Sequence, residues 1–315
     1  MLQRLTLLNA RHAFIAGSVS ALLAIGGCLS SDFSVSPTED ASAPKDGTTT
    51  PGDDSTGDDD SPSTEDGSTS TTDATTDEDG GIADSGYAPP APLVSITRAD
   101  GGFSIDSTEV TQAQYQQFLI AKGGDTSGQP TPACDFNLSY LPNPGSTANL
   151  WDPVNHANWP VTRVDWCDAH AYCAWAGKHL CSGFGGTTIA YSDGDKPAAS
   201  QWMYACTKGG VQSYPYGTSD NPTACNVNKP PDDGGVVQDV GSNPKCVGGF
   251  PGVSDMVGNA TEWIDACDGT GSCVILGGSW GFPGYPATSP VQCGQFTASS
   301  RSSSFDDLGF RCCKD

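Results

Sequence analysis

Basic residues are scarce in this chain. Its 315 residues include 14 Lys and Arg against 37 Asp and Glu, which gives a formal net charge of −23. A chain this acidic lacks the basic surface with which proteins neutralise phosphate backbones. We therefore expect no nucleic-acid partner.

The spacings typical of a zinc site are also missing. No C-x-x-C pair occurs. The four histidines show no ligand spacing: His12, His156, His170 and His179. Cysteine itself is plentiful, and twelve of the 13 cysteines lie between Cys134 and Cys313. An even number of cysteines in an exported chain indicates up to six disulfides rather than a metal centre.

The apolar run from Ala13 to Ile25 follows two arginines and is too short to span a membrane as a stable helix. It is typical of an export signal, which we place at residues 1–27. The run ends in Ile-Gly-Gly-Cys28, which resembles a bacterial lipobox. We predict that Cys28 is the lipidated first residue of the mature chain and anchors it to a membrane. The alternative is a cleaved signal followed by an unrelated cysteine.

The residue after the predicted lipidation site is Leu29 rather than Asp. By analogy with the known sorting rule for lipoproteins, this favours the outer membrane of a Gram-negative cell envelope. The following stretch, residues 29–86, carries sixteen acidic residues and one basic residue, Lys45. It has almost no large apolar side chains and cannot offset its chain entropy by burial. We predict that residues 28–91 form a disordered acidic tether.

Residues 92–315 are numerous enough for one large folded domain. Phe103–Asp106 alternates like a strand and leads into a helix that Thr111 caps, with Gln114 completing a capping box. A second helix begins after Asp165, and a third covers about residues 198–207. Short segments punctuated by glycine and proline follow. The expected fold class is α+β, with few helices, short irregular strands and many disulfides.

Several motifs occur in an order that carries a family resemblance. The C-terminal ones read Asp255-Met-Val-Gly-Asn-Ala-Thr-Glu-Trp263, Gly277-Gly-Ser-Trp280 and Leu308-Gly-Phe-Arg-Cys312. Earlier ones are Phe103–Thr111, Pro160–Lys178, Gln201–Cys206 and Tyr214–Gly217. Together they resemble the formylglycine-generating enzyme, or sulfatase-modifying factor, family over about residues 92–315. The resemblance implies a variant of the C-type-lectin-like architecture. Residues 181–197 depart from it and look like an insertion.

The resemblance also implies calcium, whose ligands are several oxygens wrapped around a turn. The matching positions in the C-terminal motif are Asp255, Gly258, Ala260 and Glu262. The alternative is a solvated turn in which Glu262 caps neighbouring amides. A second family site maps onto Asn226, Val227, Asp233 and Gly235.

Two disulfides follow from the resemblance, Cys173–Cys312 and Cys206–Cys293. A turn-rich loop between Cys267 and Cys273 suits a local bridge, and Cys225–Cys246 is plausible. The adjacent Cys312 and Cys313 should have different partners. Four cysteines remain without an assigned partner: Cys134, Cys167, Cys181 and Cys313.

The chemistry of the family's oxidase depends on two cysteines shortly after Gly-Gly-Ser, since paired thiolates bind Cu(I). Here the stretch from Trp280 to Pro290 contains no cysteine, so copper is not expected. It carries Trp280, Phe282 and Tyr285 instead. These rings suit ligand binding, or they fill the former cleft as core.

We therefore interpret the chain as an exported, lipid-anchored and non-catalytic module. It would bind an extracellular peptide, protein or glycan. One alternative is a formylglycine-generating oxidase or a divergent oxidase of the same family. Another is a purely structural envelope protein.

Overall fold

The computed structural model describes residues 88–145, 151–227, 229, 235–281 and 290–315. The predicted export signal, Cys28 and residues 28–87 of the predicted tether lie outside these residues. So do Asp233 of the second predicted calcium site and the aromatic residues Phe282 and Tyr285.

Three helices form where the sequence places their caps. Helix α1 (Gln112–Lys122) follows the predicted Thr111–Gln114 capping box and ends at Gly123, which has a left-handed backbone. Helix α2 (Trp166–Trp175) begins after Asp165, whose side chain accepts from the Asp168 backbone amide. Helix α3 (Gln201–Thr207) starts three residues later than predicted, because Ser200 provides its N-cap.

Two four-stranded sheets accompany the helices. The first has the order β1-β2-β8-β3 and is antiparallel throughout: β1 (Leu93–Ile96), β2 (Phe103–Asp106), β3 (His179–Leu180) and β8 (Cys312–Lys314). The second has the order β6-β5-β4-β7, with β4 and β7 parallel: β4 (Thr261–Cys267), β5 (Ser272–Leu276), β6 (Thr297–Ser300) and β7 (Leu308–Phe310). The α+β prediction is confirmed, and Phe103–Asp106 is the predicted strand.

The core includes an aromatic cluster between α1, α2 and the second sheet. Tyr115 and Phe118 are fully buried and lie within 5.7 Å of the Tyr172 ring. The Tyr115 hydroxyl donates to the carbonyl of Tyr140, which lies in the long loop after α1. A disulfide from Cys134 to Cys167 of α2 also holds that loop. The helix thus fixes a loop that has no helix or strand among its described residues.

Six disulfides join all twelve cysteines of the domain. They are Cys134–Cys167, Cys173–Cys312, Cys181–Cys313, Cys206–Cys293, Cys225–Cys246 and Cys267–Cys273. The four pairs expected from the sequence are among them. Cys312 and Cys313 are consecutive on β8, where successive side chains point to opposite faces of a sheet. Each cysteine therefore reaches a different partner.

One arginine occupies the centre of the domain. Arg311 lies between β7 and β8 and is fully buried. Its Nε donates to both carboxylate oxygens of Glu262, at 3.0 and 2.8 Å, and its Nη2 donates to one of them at 2.7 Å. Trp202 of α3 donates its Nε1 hydrogen to the same carboxylate at 2.8 Å. Burial alone would lower the pKa of Arg311, but the charge of Glu262 and its hydrogen bonds raise it above the ordinary value.

The remaining donors of Arg311 reach backbone carbonyls. Nη1 donates to Asp106 of β2, and Nη2 donates to Ser254 and Asp255 in the loop before β4. A guanidinium presents five N–H donors in a fixed plane, so it can bind a carboxylate and several carbonyls together. Arg311 thereby connects the first sheet, the loop before β4 and the second sheet.

Candidate functional site

A cavity of about 520 Å³ lies beside the segment where the family's oxidase would keep its cysteines. Residues of all four strands of the second sheet contribute to it, so it lies along that sheet. The lining residues are Thr261, Ile275, Trp280, Gly281, Thr297, Ala298, Ser299, Phe305, Asp306, Asp307 and Leu308. Its volume falls in the range of roughly 300–1,000 Å³ typical of small-ligand sites.

Trp280 is a wall of this cavity rather than an exposed ring. Its backbone amide donates to the carbonyl of Asn259, and its own carbonyl accepts from the amide of Lys229. The residue is only 2% exposed. Its indole Nε1–H has no hydrogen-bond partner among the described residues. Of the three aromatic residues predicted to contact a ligand, this is the one whose position is described.

Thr261 also lines the cavity and has an unsatisfied polar atom. It is the first residue of β4, paired in parallel with Leu308 of β7, and its amide donates to the Asp307 carbonyl. The residue is 2% exposed. Its hydroxyl Oγ1 has no hydrogen-bond partner within the described part of the chain. A buried polar atom without a partner costs about 1–3 kcal/mol, and both of these atoms are shielded from solvent rather than exposed to the cavity.

The polar side of the cavity is acidic. Ser279, which is fully buried, donates its hydroxyl hydrogen to Asp307 at 2.6 Å. Burial raises the pKa of Asp307, the hydrogen bond from Ser279 opposes that shift, and the neighbouring Asp306 adds to it. Asp306 also forms an ion pair with Arg163 at 3.4 Å. No histidine lines the described cavity, so Ser279 has no imidazole base there.

The residues present do not fit the family's copper. Two free thiolates would have to reach the cavity to hold Cu(I). Cys293, the cysteine that follows the predicted gap, is fully buried and bonded to Cys206. The other ten cysteines of residues 92–315 are bonded as well, and none lines the described cavity.

Both carboxylates of the first predicted calcium loop already accept hydrogen bonds. Glu262 accepts hydrogen bonds from Arg311 and Trp202 through both oxygens. One carboxylate oxygen of Asp255 accepts from the Gly241 amide, while its backbone carbonyl accepts from Arg311. Burial raises the pKa of Asp255 to about 6. An arginine cation thus already binds the Glu262 carboxylate that was expected to hold calcium, so this carboxylate is not free for the ion.

The second predicted calcium position keeps an available ligand. Asn226 is buried, and its amide group donates to the Val236 carbonyl and to the side-chain oxygen of Asn259. Its side-chain oxygen Oδ1 is buried with no hydrogen-bond partner among the described residues. Amide and carbonyl oxygens are ligands that calcium accepts. The backbone carbonyls of Val227 and Gly235 belong to the same predicted set, and Asp233 lies outside the described residues.

One arrangement of chemically active residues was missed from the sequence. His179 Nε2 lies 2.9 Å from Asp315 Oδ2, and His179 Nδ1 lies 3.3 Å from Ser182 Oγ. Ser182, His179 and Asp315 are arranged like the nucleophile, base and carboxylate of a catalytic triad. Ser182 is only 1% exposed, however, so its hydroxyl does not face a substrate. The antiparallel pairing of β3 with β8 brings these residues together, and no local sequence pattern signals that contact.

Neither a metal-binding cluster nor a membrane-spanning helix is found among the described residues. Within the described ranges, no cluster of three or more His, Cys, Asp and Glu side chains is arranged to hold a metal ion. Among the same residues, no helix combines the length and apolarity needed to cross a bilayer.

Comparison with known proteins gives a consistent relationship. The profile of the sulfatase-modifying factor enzyme 1-like domain family matches residues 50–315. Mouse formylglycine-generating enzyme is 28% identical over 222 residues, which are 59% of this chain and 53% of that enzyme. The chain thus spans about half the length of that relative.

A bovine relative named inactive C-alpha-formylglycine-generating enzyme 2 is 31% identical over 252 residues, covering 67% of this chain and 76% of the relative. Among solved structures, PvdO from Pseudomonas aeruginosa aligns with a TM-score of 0.46 and 21% identity, over 72% of this chain and 92% of PvdO.

Proposed function

Because the chain belongs to the family of sulfatase-modifying factor enzyme 1-like domains, we propose that it is a non-catalytic member that binds an extracellular ligand at the cavity beside Trp280. The observation that carries this proposal is the complete pairing of the domain's twelve cysteines. The family's oxidase chemistry requires thiolates at the cavity, whereas no cysteine lines this cavity among the described residues.

The relatives include both functional types, a formylglycine-generating enzyme and a relative described as inactive. Membership alone therefore does not decide between the proposed binding module and an oxidase. A divergent oxidase would need another nucleophile and another metal site. Asp307 of the described cavity is bonded to the buried Ser279, and no histidine lines the cavity, which favours binding over oxidation.

We also propose that the protein is anchored at the cell envelope. A lipid on Cys28 would hold the protein at the cell envelope, and the acidic residues 28–91 would keep the domain away from the membrane surface. The acidic composition of that stretch supports an extended chain, since like charges repel. The outer membrane is the proposed location because Leu29 follows the cysteine.

The calcium proposal centres on the second predicted site. Asn226 Oδ1, the carbonyls of Val227 and Gly235, and the carboxylate of Asp233 would hold the ion. The buried, unpartnered Asn226 oxygen supports this assignment. Bound calcium would stabilise the loop that contacts Asn259, since Asn226 and Asn259 are hydrogen bonded. The predicted loop at Asp255, Gly258, Ala260 and Glu262 is kept as the competing location.

We expect the purified full-length chain to leave a sulfatase-motif peptide unchanged in the presence of Cu(I) and O2, because no thiolate pair is available. Mass spectrometry of the peptide would detect conversion of its cysteine to an aldehyde, with mouse formylglycine-generating enzyme as the positive control. Alkylation of the unreduced, denatured domain should label no cysteine between Cys134 and Cys313. Protein-dependent aldehyde formation would overturn the proposal.

We expect calcium to raise the melting temperature of the chelator-treated protein, because an ion that binds only the folded state stabilises it. At a free concentration 100 times the dissociation constant, the gain would be about 2.7 kcal/mol. Asn226→Ala should abolish the shift, whereas Asp255→Asn should preserve it. If calcium does not raise the melting temperature of the wild-type chain, the calcium proposal is wrong. If only Asp255→Asn loses the rise in melting temperature, the ion binds at the first predicted loop instead.

We expect fatty-acid labelling of the chain in a Gram-negative host, with recovery of the protein in the outer-membrane fraction. Cys28→Ala should lose the label because its side chain cannot be acylated. Equal labelling of both proteins, or none in either, would contradict the anchor.

A further inference from the structure

A second cavity, of about 710 Å³, lies between two loops that disulfides hold in place. One is the loop after α1, which the Cys134–Cys167 bond fixes, and the other is the turn between β4 and β5, which the Cys267–Cys273 bond closes. The described linings of this cavity and of the one beside Trp280 have no residue in common. Walls fixed by covalent bonds lose little conformational freedom when a ligand binds, so this cavity is pre-organised.

Exposed hydroxyl groups form one part of its wall. Thr270, Ser300 and Ser302 all line the cavity and are exposed to solvent. The Oγ atoms of Ser300 and Ser302 lie 3.0 Å apart, and the Thr270 hydroxyl donates to Asp268. A hydroxyl has one donor hydrogen and two acceptor lone pairs, so each keeps lone pairs for a ligand after these internal bonds. A ligand with several polar hydrogens fits this wall.

Two groups of opposite charge line the same cavity, Asp268 and Arg301. Asp268 Oδ1 accepts hydrogen bonds from the Thr270 hydroxyl and backbone amide, at 2.7 and 2.8 Å. The bond from the Thr270 hydroxyl contributes most to lowering the pKa of Asp268, so this carboxylate is charged at neutral pH. Arg301 is half-buried, and its Nη1 donates to the Ala133 carbonyl at 3.3 Å. A neutral ligand that carries both donors and acceptors can use both groups, whereas a singly charged ligand is repelled by one of them.

An aromatic ring completes the wall. Phe136 lines the cavity and is 44% exposed, although the loop that carries it is held firmly. Cys134 is bonded to α2, and the buried Asn137 donates its side-chain amide to Asp168 at 2.8 Å. A large ring that a fixed loop leaves in water is available for contact with a ligand. The negative face of such a ring attracts C–H groups whose carbon atoms bear oxygen.

We propose that this cavity binds a neutral sugar residue of a glycan. The C–H face of the sugar packs on the Phe136 ring, and its hydroxyls bond to Asp268, Arg301 and the exposed Thr270, Ser300 and Ser302. A sugar combines one apolar face with hydroxyls that both donate and accept, which matches a wall of one ring, several hydroxyls and two opposite charges. This site is independent of the ligand proposed for the cavity beside Trp280.

Four neutral probes test the proposal on the full-length chain: the methyl glycosides of glucose, mannose, galactose and N-acetylglucosamine. We expect ligand-observed NMR titrations to show binding of at least one of them. Phe136→Leu should weaken that probe about tenfold, which corresponds to about 1.4 kcal/mol, because an aliphatic side chain lacks the negative ring face. Phe136→Trp keeps an aromatic face and should stay within about twofold of the wild type. Binding of none of the four glycosides, or unchanged affinity in Phe136→Leu, would overturn the sugar site.

A variant of the polar wall provides a second test. Asp268→Asn keeps the shape of the side chain and an oxygen for the Thr270 hydroxyl, but it removes the charge. It should weaken the bound glycoside roughly fivefold, because a carboxylate accepts hydroxyl hydrogens more strongly than an amide oxygen does. Unchanged affinity in this variant would contradict the assigned contact.

Leu138→Ala is the matched control. Leu138 belongs to the same loop and is 83% exposed, but it is not among the described residues that line the cavity. The affinity should therefore stay within about twofold of the wild type. An equal loss in this control would assign the effect to the loop as a whole and refute the ring contact. If N-acetyl-leucine methylamide binds in a Phe136-dependent manner and the glycosides do not, the cavity takes a peptide and the sugar assignment is wrong.

Discussion

The ion pair between Arg311 and Glu262 is the interaction on which the rest of the domain depends. Transferring a guanidinium and a carboxylate into an interior costs several kcal/mol for each ion, so the pair persists only where further hydrogen bonds satisfy it. Here Trp202 binds the carboxylate, and three backbone carbonyls bind the guanidinium. These contacts set the relative positions of helix α3, strand β2, the loop before β4 and the parallel strands β4 and β7.

The buried ion pair between Arg311 and Glu262 indicates a structural role for the sequence motifs. Glu262 belongs to the Gly-Asn-x-x-Glu-Trp motif, Arg311 to the Gly-Phe-Arg-Cys motif and Trp202 to the third helix motif. Their side chains meet in one buried cluster rather than at a substrate. The cavity lies elsewhere, on the face of the second sheet that carries Thr261. The buried cluster and the cavity are thus separate parts of the molecule, so the motifs can form the scaffold without the paired thiols of an oxidase.

Local features of this fold could be predicted from the sequence, because capping and alternation act over a few residues. Thr111 and Asp165 cap α1 and α2 as expected, and Phe103–Asp106 forms a strand. The partners of Cys134 and Cys181 could not be predicted, since they depend on where distant loops and strands meet. The same holds for Arg311, because its partner Glu262 lies 49 residues earlier in the sequence. Spacing alone also cannot show that a buried arginine binds the Glu262 carboxylate, and calcium at this loop stays a prediction.

The most direct test of the structural role of these motifs is the unfolding free energy of Glu262→Gln, measured by denaturant titration with the disulfides intact. Glu262→Gln removes the nearer of two buried carboxylates beside Arg311 and leaves Glu109 at 4.0 Å, and we predict a loss of about 3–5 kcal/mol. Asp193→Asn, which breaks the exposed pair with Lys196, should change little. A loss below about 1 kcal/mol in Glu262→Gln, within the range of exposed pairs, would contradict the account.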